Sequence, residues 1–127
     1  MKVALDTNAY SDFLRGAPDR VVVVRKARRI YLPLFVLGEL RAGFAAGNRN
    51  DENLAILKRF LKSPRVTILF PDEETTHHYA SLFVLLKKAG KPIPGNDLWI
   101  AALAVQHNLP LCTSDVHFDH VPGLIRC

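Results

Sequence analysis

Acidic residues follow two apolar stretches that have the character of β-strands, which is where ligand sites collect in α/β proteins. Asp6 comes directly after residues 3–5, and Asp115 follows the stretch 109–113. Asp119 lies four positions beyond Asp115. Carboxylates at such positions can bind a divalent cation or exchange protons with a substrate. A helix cap accounts for Asp6 equally well, and turns account for the other two, so each acid alone is weak evidence.

Glu39 is a more informative acid because the segment around it, residues 34–46, is almost wholly apolar. On a helix it shares a face with Phe35, Val36, Ala42 and Gly43. The nearest basic residue, Arg41, is two positions away and points to another side. A carboxylate on this face costs free energy unless it is paired, protonated or bound to a cation. A salt bridge to a basic residue distant in sequence is the structural alternative.

Asp97 begins a further apolar helix, whose face continues with the small residues Ala101 and Ala104. Small side chains let a helix pack closely against its neighbours. Capping alone accounts for an aspartate at the start of a helix, so Asp97 supports a site only together with the other acids.

The elements around these acids alternate along the chain. Apolar, β-branched stretches predict strands at residues 3–5, 30–32, 66–70 and 109–113, with a short last strand at 124–125. Helical spacing and end signals predict helices from residue 8 or 11 to 15, from 18 to 29, and over 34–46, 51–61, 72–88 and 96–106, the last capped by Asn96 or Asp97. The alternation predicts one α/β domain, residues 1–127, with a mostly parallel central sheet flanked by helices.

In such a fold the acids after strands and the acids on flanking helices can converge at one edge of the sheet. Two carboxylates about 5 Å apart repel by roughly 3 kcal/mol at an effective dielectric near 20, so a group of four needs a cation to stay ionised. Oxygen ligands without Cys or His suit Mg²⁺ or Mn²⁺. A divalent cation held by carboxylates in this way suits the metal-assisted hydrolysis of a phosphodiester.

Composition limits the classes of protein that remain. The chain of 127 residues is 49% hydrophobic and 23% charged, which excludes a disordered or collagen-like chain. Seventeen Lys and Arg against twelve Asp and Glu give a net charge of +5, which favours contact with a polyanion. Basic clusters at residues 25–29 and 58–65 are nevertheless more typical of solvated helix faces.

No apolar run approaches the roughly 20 residues that cross a bilayer, so we expect no membrane segment. A secretory signal is not expected either, because residues 3–5 meet Asp6 at once. Cys112 and Cys127 are the two cysteines, and their placement predicts no disulfide. These features together predict a cytoplasmic protein.

The five histidines do not predict a zinc site. His77 and His78 are adjacent and point to different sides of a helix, while His117 and His120 lack a matching pair of Cys or His ligands. We expect these histidines to be surface or partly buried polar residues, and Trp99 to pack in the core.

Four motifs, in order over the whole chain, resemble those of PIN-domain ribonucleases, specifically the VapC toxins of prokaryotic toxin–antitoxin pairs. They are Leu5-Asp6-Thr7-Asn8, residues 38–43 (GELRAG), residues 96–102 (NDLWIAA), and residues 113–118 (TSDVHF) followed by Pro122-Gly123-Leu124. The resemblance implies a PIN-like three-layer sandwich and Mg²⁺- or Mn²⁺-dependent endonucleolytic cleavage of RNA, with structured RNA such as tRNA or rRNA as substrate. It also implies a VapB-like antitoxin as partner, and a homodimer.

Residue by residue, Asp6, Glu39, Asp97 and Asp115 match the acidic centre of that family. The resemblance implies catalytic roles for all four acids, with Asp6, Asp97 and Asp115 as metal ligands. Asn8 and Thr113 match polar positions that orient the carboxylates or the attacking water. Asp119 lies where the family has no fixed acid, and we hold it as an auxiliary ligand.

Two other classes of protein are compared with this interpretation. A catalytically inactive PIN-like module that binds RNA or protein stays open, because a sequence does not show geometry. A phosphatase with an aspartate nucleophile is disfavoured, because it needs a second acid two residues after Asp6, where Asn8 stands.

Overall fold

A parallel β-sheet organises the computed structural model, which describes residues 1–127. Its strands are β1 (Lys2–Leu5), β2 (Arg29–Pro33), β3 (Val66–Leu69) and β4 (Leu111–Cys112). Their order across the sheet is β3-β2-β1-β4, and all three pairings are parallel. Strand β1 lies in the interior, and Val3, Ala4 and Leu5 are fully buried. Such burial on both faces is typical of a parallel sheet covered by helices, and it confirms the predicted α/β class.

Six α-helices surround the sheet. They are α1 (Thr7–Leu14), α2 (Pro18–Lys26), α3 (Leu34–Ala46), α4 (Asn50–Leu61), α5 (Glu73–Lys88) and α6 (Gly95–Gln106), and a 3₁₀ helix covers Val116–His120. All six were predicted from the sequence, and α3 has the predicted bounds. None of the helices combines the length and the apolar character needed to span a membrane.

The starts of α4 and α5 each differ from the prediction by one residue, and the starts of α1 and α6 differ in a way that affects the acids. Helix α1 begins at Thr7 because the side chain of Asp6 accepts a hydrogen bond from the backbone N–H of Ala9 and caps the helix, so neither Asn8 nor Ser11 does. Helix α6 has Pro94 at its cap position, which leaves Asp97 in the first turn of the helix. The carboxylate of Asp97 is therefore not used as a cap.

The C-terminal segment corrects two predictions. No strand forms at residues 124–125; the segment meets β4 at one bridge, between Leu111 and Arg126. The last residue, Cys127, donates its backbone N–H to the carbonyl of Leu111 at 3.0 Å. This pairing brings Cys127 beside Cys112, with Cα atoms 4.5 Å apart, and the two form a disulfide. The prediction of no disulfide was wrong because the spacing of residues does not show that the C-terminal segment pairs with β4, nor the register of that pairing.

Helix α6 is the most buried helix and carries one of the acids. Residues 100–104 are all buried, and Ala101 and Ala104 are at most 1% exposed. Trp99, on the same helix, stacks on Phe35 of α3 and on Tyr79 of α5, with ring centroids 5.6 and 4.0 Å apart. Since Phe35 lies one turn before Glu39 on α3, this stack holds α3 and α6 together near their acids.

Candidate active site

The four acids singled out in the sequence line one cavity. It has a volume of about 150 Å³ and lies past the ends of β1 and β4. Its lining comprises Asp6, Thr7, Asn8, Glu39, Asp97, Ile100 and Asp115. The acids come from the end of β1, from α3, from α6 and from the segment after β4, so the tertiary fold alone brings them together.

Asp6 is the innermost acid and is only 5% exposed. One oxygen, Oδ1, accepts the N–H of Ala9 at 2.8 Å, and the other, Oδ2, accepts the hydroxyl of Thr113. Burial raises the pKa of Asp6 above its ordinary value, although both hydrogen bonds and the charge of Arg20 act in the opposite direction. Asp6 thus serves as a helix cap and lines the cavity at the same time.

Thr113 connects Asp6 to Asp115. Its Oγ1 donates to Asp6 and accepts the backbone N–H of Asp115 at 3.0 Å. Asp115 in turn caps the 3₁₀ helix, because its Oδ1 accepts the N–H of His117 at 2.9 Å. These bonds set the position of both carboxylates.

Glu39 projects from α3 into the cavity. Its Oε1 accepts the hydroxyl of Thr7 at 2.7 Å, whereas Oε2 has no hydrogen-bond partner in the protein. The structural alternative raised from the sequence, a salt bridge to a distant basic residue, is not formed. A carboxylate oxygen therefore stays available in the cavity.

Asp97 combines partial burial with the charges of its neighbours. Burial is the main cause that raises its pKa, and the negative charges of Asp115 and Glu39 raise it further. The hydrogen bond to His117 acts against this shift. Because the neighbouring negative charges disfavour ionisation of Asp97, a cation in the cavity would stabilise its ionised form.

His117 was expected to be an ordinary polar residue, but its ring lies beside two of the acids. Its Nδ1 is 3.1 Å from Oδ2 of Asp97 and 3.3 Å from Oδ1 of Asp115. Together the three side chains offer ligand atoms that all lie within 4.8 Å of one another. The sequence signal was the spacing Asp115-x-His117, which a search for paired Cys and His ligands does not detect.

Arg20 is a second residue that the sequence did not single out. It reaches across to the C-terminal segment, donating to the carbonyl of Cys127 at 3.1 Å and to the hydroxyl of Ser114 at 3.4 Å. Its positive charge acts to lower the pKa of Asp6, against the larger effect of burial, which raises it. No local pattern marks it, because α2 is distant in sequence from the residues it contacts.

Of the two remaining predicted residues, one lines the cavity and the other does not. Asn8 is exposed and lines the cavity. Asp119 does not line the cavity; its carboxylate is exposed and pairs with the guanidinium of Arg126. We therefore do not assign Asp119 as an auxiliary ligand.

The residues present fit a divalent metal ion. Three aspartates and a glutamate surround a small polar cavity, and hard oxygen donors of this kind are the ligands of Mg²⁺ and Mn²⁺ in proteins. The upward shifts in the pKa of Asp6 and Asp97 support the same interpretation, because uncompensated negative charge is costly there.

The chain is thus an α/β protein with a parallel sheet and an acidic cavity beyond the ends of its strands. The family model for the PIN domain matches residues 3–124. Ribonuclease VapC1 of Haemophilus influenzae is 35% identical over 125 residues, which cover 94% of this chain and 92% of that protein. The chain therefore belongs to the PIN domain family, with VapC ribonucleases among its relatives.

Solved structures agree with this assignment. VapBC-1 from nontypeable Haemophilus influenzae superposes with a TM-score of 0.87 at 28% identity, over 100% of this chain and 97% of that chain. VapBC2 from Rickettsia felis, bound to a DNA fragment from its promoter, superposes with a TM-score of 0.86 at 29% identity, over 100% and 98%.

Proposed function

We propose that this chain is the toxin of a VapBC-type pair, an endoribonuclease that depends on Mg²⁺ or Mn²⁺ and acts in the cytoplasm. The observation that carries this proposal is the convergence of Asp6, Glu39, Asp97 and Asp115, from four separate elements, on one cavity. Its relatives among the VapC ribonucleases support the same reaction.

In this proposal Asp6, Asp97 and Asp115 hold the cation. When bound, the cation supplies Lewis-acid activation of the scissile phosphate and lowers the pKa of a water molecule. Thr113 holds Asp6 and Asp115 in place through its hydroxyl and so acts as a positioning residue.

Glu39 has a separate role. Because Oε1 is engaged by Thr7, Oε2 is the atom that orients the attacking water and accepts its proton. Asn8, exposed at the cavity, is placed to hydrogen-bond the water or the RNA backbone. In-line attack by water with departure of the 3′ oxygen leaves a 5′ phosphate and a 3′ hydroxyl.

The substrate in this proposal is a structured RNA such as tRNA or rRNA. The net charge of +5 favours association with the phosphate backbone, although the cavity itself is acidic. A cation bound at the carboxylates would reconcile these two facts, because it offsets the negative charge where a phosphate has to approach.

We assign a VapB-like antitoxin and a second copy of the chain as partners. The solved relatives are VapBC assemblies. The chain also exposes apolar surface on α5, where Phe83, Val84 and Leu85 are each about half exposed. We expect a small antitoxin gene beside the gene for this chain, and co-expression of the two is expected to yield a complex that no longer cleaves RNA. Light scattering of the free chain is expected to give the mass of a dimer.

Cleavage of a defined RNA pool, with and without a chelator, tests the enzymatic proposal. We expect cleavage by the wild-type chain with Mg²⁺ or Mn²⁺, none with the chelator, and a loss of at least about 100-fold in Asp97→Asn. Asp119→Asn is the matched control, because it removes an acid outside the cavity and is expected to keep full activity. RNA binding without cleavage by the wild-type chain would instead identify an inactive PIN-like module.

A further inference from the structure

The ring of His117 is held against the acidic cavity by its own backbone. The backbone N–H of His117 donates a hydrogen bond to Oδ1 of Asp115 at 2.9 Å, at the start of the 3₁₀ helix Val116–His120. The side chain is half exposed, so packing in the core does not account for its orientation. One ring atom, Nδ1, lies close to carboxylates that belong to two different elements, α6 and the segment after β4.

The distances around Nδ1 are close to those between ligands of one metal ion. Neighbouring ligands of an octahedral ion, each about 2.0–2.1 Å from it, are about 2.8–3.0 Å apart. Nδ1 lies 3.1 Å from Oδ2 of Asp97 and 3.3 Å from Oδ1 of Asp115. A single N–H can bond only one of these carboxylates with near-linear geometry and serves both only as a bent, three-centre hydrogen bond.

We propose that Nδ1 of His117 is a metal ligand beside Asp97 and Asp115, and that it makes this site prefer Mn²⁺ over Mg²⁺. The inference rests on the proposed function, since it concerns the metal that the carboxylates hold. Imidazole nitrogen binds divalent transition metals in preference to Mg²⁺, which demands oxygen ligands and keeps several waters. To act as a ligand, the imidazole is neutral and carries its proton on Nε2.

Metal binding to the whole chain, measured without RNA, tests the preference. Calorimetric titrations with Mn²⁺ and with Mg²⁺ compare the wild-type chain, His117→Ala and His117→Gln. We expect both variants to weaken Mn²⁺ binding by roughly 10-fold or more and Mg²⁺ binding by less than about 3-fold, so that the ratio of the two dissociation constants falls. His120→Ala, on the same 3₁₀ helix but outside the group formed by Asp97, Asp115 and His117, is the matched control and is expected to keep the wild-type ratio.

Pulsed electron paramagnetic resonance of bound Mn²⁺ tests the bond itself and uses the wild-type chain. We expect modulation from one directly bound ¹⁴N, which shifts to the ¹⁵N frequency when histidine is labelled and is absent in His117→Gln. Bound Mn²⁺ without nitrogen coupling overturns the inference, as does an equal loss of affinity for both ions in the two His117 variants.

The outcomes also separate this inference from the proposed function. A chain that cleaves RNA with a divalent ion but shows no nitrogen coupling keeps the proposed function and refutes the His117 ligand. A chain that shows the coupling but does not cleave RNA keeps the ligand and refutes the nuclease.

Discussion

Thr113 and Asp6 lie 107 positions apart in the sequence, yet the hydroxyl of Thr113 donates a hydrogen bond to Oδ2 of Asp6. The bond joins the segment after β4 to the end of β1, the two neighbouring strands whose carboxyl ends border the cavity. The same hydroxyl oxygen accepts the N–H of Asp115. A threonine that is itself outside the group of acids therefore sets the positions of two of them.

Replacing this hydroxyl tests its positioning role. Thr113→Val keeps the shape of the side chain but removes a hydrogen bond to a buried carboxylate, which contributes about 1.5–3 kcal/mol. We expect the rate of RNA cleavage to fall about 10-fold or more and the pKa of Asp6 to rise further, because the hydrogen bond from Thr113 lowers it. Thr113→Ser restores the hydroxyl and is expected to restore the rate. Equal activity in the Val and Ser variants would contradict the role.

The charge of Glu39 is predicted to act on Asp97 through space. Glu39→Gln removes that charge but keeps the oxygen that accepts the hydroxyl of Thr7. Since the charge of Glu39 is one of the causes that raise the pKa of Asp97, we expect this pKa to fall in the variant. Carboxyl carbon chemical shifts, followed against pH in the metal-free protein, measure it. Glu52→Gln, an exposed residue paired with Arg49, is the control; the same response in both variants would refute the coupling.

Thermal stability without metal is expected to depend on pH through the buried acids. Burial raises the pKa of Asp97 above 3.8, its value in the unfolded chain. The folded state then binds the proton more tightly, so this contribution is fully present below the unfolded value and is lost as pH rises through the folded value. We expect the melting temperature of the wild-type chain to fall relative to that of Asp97→Asn between pH 4 and pH 7 in the presence of a chelator.

Other acids also change the stability with pH, some in the opposite direction, and the comparison with Asp97→Asn removes their contributions. The pKa of Asp72 lies below its ordinary value because of hydrogen bonds from Gln106 and from Thr75, so this acid stabilises the fold as pH rises. That term is common to both proteins and cancels in the difference. A difference in melting temperature that stays constant with pH would show that burial does not shift the pKa of Asp97.

Divalent cations are expected to raise the melting temperature more at neutral pH than at acidic pH. At pH 7 a saturating concentration of Mn²⁺ is predicted to raise the melting temperature of the wild-type chain by several degrees, because it binds the folded state alone. Near pH 4 protons compete with the metal for Asp6 and Asp97, whose pKa values burial raises, so the rise is expected to be smaller. Scanning fluorimetry at both values of pH checks this, and an equal rise at both would argue against a shared carboxylate site.

The disulfide between Cys112 and Cys127 is predicted to contribute to stability. It closes a loop over a sequence separation of 15 residues, for which chain entropy gives about 3 kcal/mol. We expect a reductant to lower the melting temperature of the wild-type chain. Cys127→Ser is expected to melt lower from the outset and to be insensitive to the reductant. A wild-type chain that does not respond to the reductant, with its two thiols free by titration, would contradict the disulfide.

Much of the fold follows from local patterns. Helix α3 has the predicted bounds, because an apolar run without Pro or Asn ends at Gly47 and the polar turn after it. Helix α2 forms despite its run of valines, because Pro18 occupies the first turn and Arg25 and Lys26 occupy the last, where each favours a helix. The order of strands and helices is likewise a property of short segments, which is why the α/β class was correct.

The ends of elements and the C-terminal segment were harder to predict. Asp6 was weighed as a cap or as a site residue, and the structure uses its two oxygens for both purposes. The pairing of Cys127 with β4 depends on the path of the chain around β4, which residue spacing does not describe. The roles assigned to the four acids stay predictions until the variants are measured.

Local patterns are enough to identify the acids in unusual places, because each strand or helix pattern is short and a carboxylate that violates it is visible within one segment. The folded chain is needed to show that four of these acids line one cavity, that His117 lies beside two of them and that Asp119 lies outside. Distances between side chains on different elements depend on packing and strand register, and these arise when the whole chain folds.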